Sequence, residues 1–283
     1  MARAKRKSGT TAKATKTKLP HGRLDMSKLP NNQPATMPLY PPFPWKMFGG
    51  KAIVVNYETD MDSLLDVLPP ELTPMTDPPI VSAYLNGGYE FAIGGGPYAE
   101  FSPLIPVMYN GEPHIYPFVV YLGEGTEEWF AAGREVLGDS KKMGVVKLTQ
   151  SMGHAMMLGT VDRPAGHRLA TMVVGPFERQ GTAEDFQLWP NLVVRLLPSG
   201  VDGDNRPQVA EFLLKRVKAT LRTAEDGSPM IFHGPGTFEW GRSEQDPLYR
   251  ILPVRKVLGA MYLEFGTIEQ PAGEVVKTYA IKR

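Results

Sequence analysis

The chain lacks cysteine altogether and has five histidines in 283 residues. Without thiols there can be no disulfide staples, thiolate zinc sites, iron–sulfur ligation or cysteine nucleophile. The histidines (His21, His114, His154, His167 and His233) show no paired helical spacing suited to a metal; surface or core positions account for them. No apolar run approaches the roughly 18–20 residues that cross a bilayer, so no membrane partner is expected. Ser140, Ser151 and Ser199 lack the G-x-S-x-G surroundings of a hydrolase nucleophile. Gly49-Gly50-Lys51 and Gly94-Gly95-Gly96 have neither the Walker nor the dinucleotide-binding spacing, and flexible turns explain them better. A net charge of one sign is missing too, since 31 Lys+Arg face 30 Asp+Glu.

That balance hides an asymmetry. Residues 1–23 carry eight basic side chains and no acid, which leaves 23 basic against 30 acidic residues in the remainder. The body is therefore mildly acidic and offers no field for nucleic acid; only the tail could touch a polyanion. Residues 1–28 read as a disordered basic tail without the apolar stretch of a secretory signal. Residues 29–50 are rich in proline and aromatics (Pro38, Tyr40, Pro41, Pro42, Phe43, Pro44, Trp45), the composition of an extended arm laid back on its own domain. Residues 51–283 form the folded body, and the expected location is the cytoplasm. With 42% apolar residues, the chain is long enough to bury a sizeable core.

Within that body, Thr59–Leu68 carries an N-cap signal, early acids and a Pro69-Pro70 stop, which predict a short helix. Helical character is also expected from Gly133 to Gly138. Most other segments read as strands: Ile80–Leu85, His114–Leu122, Ala155–Val161, His167–Val174, Leu192–Leu197, Val209–Thr223, Val257–Ile268 and Glu274–Ile281. Turn signals such as Asn86-Gly87-Gly88 separate them. Val209–Thr223 alternates less cleanly and admits a helix through Ala210, Leu213, Leu214 and Val217. Spaced strands without regular intervening helices argue for an α+β, mostly β, antiparallel barrel or sandwich.

One stretch stands out. Gly133-Arg134-Glu135 is followed by Asp139-Ser140-Lys141-Lys142 beside an apolar run. Paired lysines are nearly always solvated surface. Held together in a low-dielectric cavity, however, two ammonium groups repel, and one tends to lose its proton. A neutral amine attacks ketones and forms an iminium, which is an electron sink. The stretch resembles the acetoacetate decarboxylase family, which carries a G-R-E segment followed by a Lys-Lys pair. Tyr57-x-Thr59-Asp60-Met61-Asp62-x-Leu64 resembles the family's early helix entry. Tyr98-x-Glu100, followed by Ile105-Pro106-Val107, resembles its acidic turn before a strand. Pro190-Asn191, Leu197-Pro198 and Gly234-Pro235 fall in order downstream.

The resemblance implies a curved antiparallel sheet closing into a cone or barrel with a few short helices. It implies a carbon–carbon lyase that needs no cofactor, acts on a small keto acid and assembles as a homo-oligomer. By position, Lys141 matches the Schiff-base nucleophile, Lys142 its cationic neighbour, and Glu100 a cavity acid for proton transfer or orientation. Arg134 and Glu135 are expected to hold the loop. Two positions depart from the pattern. Aligned on Thr59–Asp62, the family's cavity arginine falls near Gly50, with Lys51 or Lys46 as possible substitutes. Aligned on Glu100, its second cavity acid falls at Leu85, or at Tyr84 with a one-residue gap. A changed lining, with Tyr84 and Phe118 as candidate substrate-binding residues, implies a substrate bulkier than acetoacetate. The alternatives are aldol addition or dehydration of pyruvate through the same lysine, and a non-catalytic barrel that binds a small ligand.

Overall fold

A strict alternation of side chains along long strands decides what each residue faces. In the computed structural model, which describes residues 20–29, 32–91, 98–123, 125, 127–151, 153, 155–201, 203–204 and 206–281, strand Trp45–Glu58 lies between Lys256–Gln270 and Ile80–Phe91. Beyond Ile80–Phe91 the sheet continues through Tyr98–Tyr109, Glu112–Pro117, Asn191–Pro198, Pro207–Lys215 and Glu274–Thr278. Neighbours along this path are antiparallel except Glu112–Pro117 and Asn191–Pro198. Among the described residues no ladder returns from Glu274–Thr278 to the opposite edge, Arg179–Gln180, so pairing does not close this sheet into a cone or barrel. A second, four-stranded antiparallel sheet comprises Val145–Gln150, Met157–Asp162, Arg168–Val174 and Gly236–Trp240.

The odd-numbered residues Ile53, Val55, Tyr57, Val81, Ala83, Leu85, Phe101, Ile105 and Val107 join the main core with Val161, Met172, Val174 and Phe238 of the second sheet. The contact is close at Gly159, where an added Cβ would meet Met172, Ile53 and Leu85 at 2.8–2.9 Å. The even-numbered residues between them face the other way, into a cavity. Fourteen main-sheet strands, four more in the second sheet and three short helices (Met61–Leu65, Glu127–Glu135, Leu248–Ile251) make the described part mostly β, as expected.

Several local readings need correction. Asn86-Gly87-Gly88 is not a turn; it lies inside Ile80–Phe91, with Gly88 at φ +81° and a register shift between Gly87 and Tyr89. Gly49-Gly50 likewise sits inside Trp45–Glu58, not in a loop. The helix before the lysine pair spans Glu127–Glu135, earlier than Gly133–Gly138; Glu127 and Glu128 lie in the first turn and Arg134 in the last, as the helix dipole favours. Val209–Thr223 resolves into strands Pro207–Lys215 and Lys218–Leu221. Gly94-Gly95-Gly96, His154 and residues 1–19 of the basic tail lie outside the described residues. The chain divides into two compact units between Leu39 and Tyr40. In the first, Asp25 caps a short turn at Met26–Lys28 by accepting from the Ser27 amide at 3.0 Å. In the second, Tyr40 donates to Glu135 at 2.6 Å, and Trp45 packs edge-on against Trp129 with ring centroids 4.6 Å apart.

Candidate active site

A cavity of about 490 Å³ opens against the even face of the main sheet. Its wall is aromatic and aliphatic at Trp45, Tyr89, Tyr98, Trp129, Leu263 and Phe265, with a few polar groups set into it. Lys141 is one of them, 5% exposed. It starts the short strand Lys141–Met143, which runs parallel to Val120–Leu122 with Val120 opposite Lys141. Alternation then sends neighbours to opposite sides: Val120 and Lys141 line the cavity, whereas Tyr121 and Lys142 do not. The Lys142 ammonium pairs with the buried Asp246 carboxylate, which also accepts from Tyr121 at 3.0 Å and Arg163 at 2.9 Å. Lys142 is therefore not the cationic neighbour in the cavity; two residues adjacent in a strand cannot share one face.

The Lys141 amine donates to the Trp129 carbonyl at 3.1 Å, in the helix alongside. Gly133 makes that approach possible, because a Cβ there would run into the Lys141 chain and lie 2.7 Å from Nζ. The backbone is held equally firmly. Arg134 donates to the Lys141 carbonyl at 2.9 Å, and the Asp139 amide donates to the Gly133 carbonyl at 2.9 Å. Arg134 thus holds the loop, whereas the Glu135 carboxylate accepts from Tyr40 and its carbonyl from Arg195. Burial pushes the Lys141 ammonium toward its neutral form; the carboxylates of Asp139 and Glu100 oppose this, and Lys215 adds to it.

Glu100 and Tyr84 also line the cavity. Glu100 is the third residue of strand Tyr98–Tyr109 and not part of a turn. One of its oxygens accepts from Asn86 at 3.0 Å and the other from the Tyr98 hydroxyl. Asn86 also donates to the Tyr84 hydroxyl at 3.0 Å, and Tyr84 meets Tyr89 at 3.5 Å. Burial, reinforced by the Glu100 charge, raises the Tyr84 and Tyr98 hydroxyls above the usual phenol range, so both remain protonated donors at neutral pH. Leu85 points into the core, so of the two residues considered for the second acid only Tyr84 reaches the cavity. Phe118 does not line it and packs on the main core just beyond Pro117, which does.

Gly50 has no room for an arginine side chain. Its φ is +99°, and an added Cβ would collide with the Tyr89 ring at 2.2–2.6 Å. Lys51 cannot supply the charge, since it donates to Gln150 at 3.0 Å and does not line this cavity; neither does Lys46. Among the described lining residues the basic side chains are Lys141 and Lys215, the latter paired with Asp139. Sequence reasoning missed Asp139, Lys215, Asn86 and Trp129. A lysine ending the apolar run Phe212-Leu213-Leu214 was the available signal for Lys215.

Among the described residues no group of three metal-ligating side chains comes together, and no helix is long and apolar enough to cross a membrane. What the cavity presents is a buried amine that burial pushes toward its neutral form, beside a hydrogen-bonded carboxylate; a neutral amine is the form that lysine chemistry requires. The acetoacetate decarboxylase family model matches residues 28–280, and the chain belongs to that family. It is 28% identical over 256 residues to an acetoacetate decarboxylase of Burkholderia lata, covering 87% of this chain and 94% of the relative. The acetoacetate decarboxylase of Clostridium acetobutylicum is also 28% identical, over 249 residues, with the same coverage. A solved acetoacetate decarboxylase superposes with a TM-score of 0.76 at 25% identity, over 89% of this chain and 97% of that one. The enduracididine biosynthesis enzyme MppR, solved with the condensation product of pyruvate and imidazole 4-carboxaldehyde, superposes at 0.74 and 18% identity, covering 88% of this chain and 97% of that one. At that identity the second likeness concerns the fold alone.

Proposed function

We propose that the protein is a Schiff-base carboxy-lyase that decarboxylates a β-keto acid bulkier than acetoacetate. The observation that carries this is the Lys141 amine, buried at the wall of a roughly 490 Å³ cavity and held by a single carbonyl. A neutral amine that donates one hydrogen to Trp129 keeps its lone pair for an incoming ketone. Attack forms the C–N bond, and loss of water gives the iminium. As the C–C bond to the carboxylate breaks, its electron pair moves into the iminium and CO2 departs. Protonation of the enamine carbon and hydrolysis by water release the ketone and restore Lys141. In this reading Glu100, with Tyr98 and Asn86 on its two oxygens, moves the protons. The cavity volume lies within the range of sites that hold molecules much larger than a four-carbon acid.

In this reading the main sheet curves as a cone around the cavity, and the basic tail is a solvated arm with no part in the chemistry. The protein works in the cytoplasm as a homo-oligomer. Tyr84 favours one second reading: a phenol beside an enamine suits loss of water after addition of a 2-oxo acid to an aldehyde. Borohydride trapping with acetoacetate and with pyruvate, read by intact mass and peptide mapping, tests both. An acetone-derived adduct on Lys141, absent in Lys141→Ala, is the expected result. A pyruvate adduct with acetoacetate left intact would replace the first reading by the second. No adduct with either would leave a substrate outside the pair or a barrel that merely binds, whereas full turnover by Lys141→Ala would sink the lysine mechanism.

A further inference from the structure

The cavity contains a charged pair that the lysine mechanism does not use. Lys215 ends strand Pro207–Lys215, opposite Asn191, and its ammonium reaches the Asp139 carboxylate. The two side chains are 3% and 9% exposed, and both line the same cavity as Lys141. Asp139 cannot move away from the nucleophile. Its amide is fixed to Gly133, its carbonyl accepts from the Lys141 amide at 2.7 Å, and it follows Gly138, whose φ is +74°. An added Cβ at Gly138 would also crowd the Arg195 backbone, so the loop has one path.

A fixed carboxylate two residues from a buried amine favours the ammonium, which is useless as a nucleophile. The other charges facing Lys141 do not correct this. Glu100, from strand Tyr98–Tyr109, pulls in the same direction as Asp139. Tyr98 offers its ring face 5.7 Å from Nζ, which also favours a cation. Glu184 and Asp185 line the cavity as further acids, while Tyr84 and Tyr89 enter it as neutral phenols. From the helix Glu127–Glu135, Arg134 is committed to the Lys141 carbonyl, and Lys142 lies on the opposite face with Asp246. Among the described lining residues Lys215 is the remaining cation.

We propose that Lys215 is a positioning residue for the nucleophile: by pairing with Asp139 it offsets the carboxylate fixed beside Lys141, so that the Lys141 amine stays uncharged. The pair does from across the sheet what an adjacent lysine cannot do from the same strand. The proposal rests on the reading of Lys141 as the nucleophile, but its test requires no adduct. Competitive acetylation with acetic anhydride across a pH series, mapped to the peptide holding Lys141, reads that amine's protonation directly.

In the wild-type protein the Lys141 midpoint falls below the ordinary lysine range. Lys215→Met moves it up, and acetylation of Lys141 at pH 7 slows about tenfold for every pH unit that the midpoint climbs. Asp139→Asn moves it down, because Lys215 is then unopposed. Lys142→Gln, the control, leaves it in place. A merely structural pair would change the melting temperature of both variants without moving the midpoint in opposite directions. An unchanged midpoint in either variant, or movement of both in the same direction, overturns the proposal. If Lys215→Met does not fold, the downward movement in Asp139→Asn decides alone. Borohydride trapping run in parallel separates failure of this inference from failure of the lysine mechanism, since an amine can be acetylated whether or not it forms an iminium.

Discussion

Gly133 shows how narrowly the Lys141 side chain is housed. In an exposed helix, Gly→Ala stabilises by roughly 0.5–1 kcal/mol. Here the new methyl would occupy the space of the Lys141 side chain, whose flexible end must give way. Gly133→Ala should therefore keep or slightly raise the melting temperature while lowering the borohydride trapping rate at least about tenfold, since small misplacements of a reacting group are costly. Calorimetry and trapping on the same preparation check both halves. Lys141 itself opposes folding. Its folded-state pKa is depressed by burial, so the unfolded chain binds more protons up to the ordinary lysine value. Wild-type stability then rises with pH through the window between the depressed value and about 10.4. Lys141→Met should be inactive yet more stable than wild type at pH 7, with the difference in melting temperature shrinking as the pH is raised toward about 10.

At the scale of elements, the two interrupted strands set the boundary of the cavity. Trp45 and Met47 face it, then Val54 and Asn56, and the change from odd to even occurs across Gly49-Gly50 at φ +66° and +99°. The partner strand does the same between Asn86 and Tyr89 through Gly88. Gly50→Ala should cost about 1–3 kcal/mol from backbone strain alone, with a further loss from displacing Tyr89, measurable as a lower urea midpoint. These devices were hidden in the sequence because a glycine pair inside a strand and one in a turn look alike. Strand Tyr98–Tyr109 was obscured by Pro103 and Pro106, which forgo one ladder donor each yet stay in register, Pro103 opposite Ala83 and Pro106 opposite Ile115. The long alternating runs were legible, including Ile80–Leu85, His167–Val174 and Val257–Ile268. Lys141, Glu100 and Tyr84 were legible through motif and register. Phe118 and Lys142 were misplaced, the first because residue type says nothing about which face a side chain takes. For Lys142, proximity in sequence was read as proximity in space.

At the scale of the whole molecule, every described residue lining the cavity belongs to the unit that begins at Tyr40. Removing residues 1–39 should leave the trapping rate with a keto acid within about twofold of full length, a difference smaller than about 0.5 kcal/mol. The same deletion removes the eight basic residues of the first 23 and should abolish retention on a polyanionic column. A truncated protein that no longer forms the adduct would show that the leading segment contributes to the site. The main sheet works on both of its faces, with core packing on one and the cavity lining on the other, interleaved residue by residue. Descendants of one ancestor can thus exchange Asn86, Tyr84 or Ser82 while Leu85 and Ala83 between them stay unaltered. Folding and selectivity are inherited on alternate letters of the same strands, and a family can diversify its substrates without redesigning the architecture that holds them.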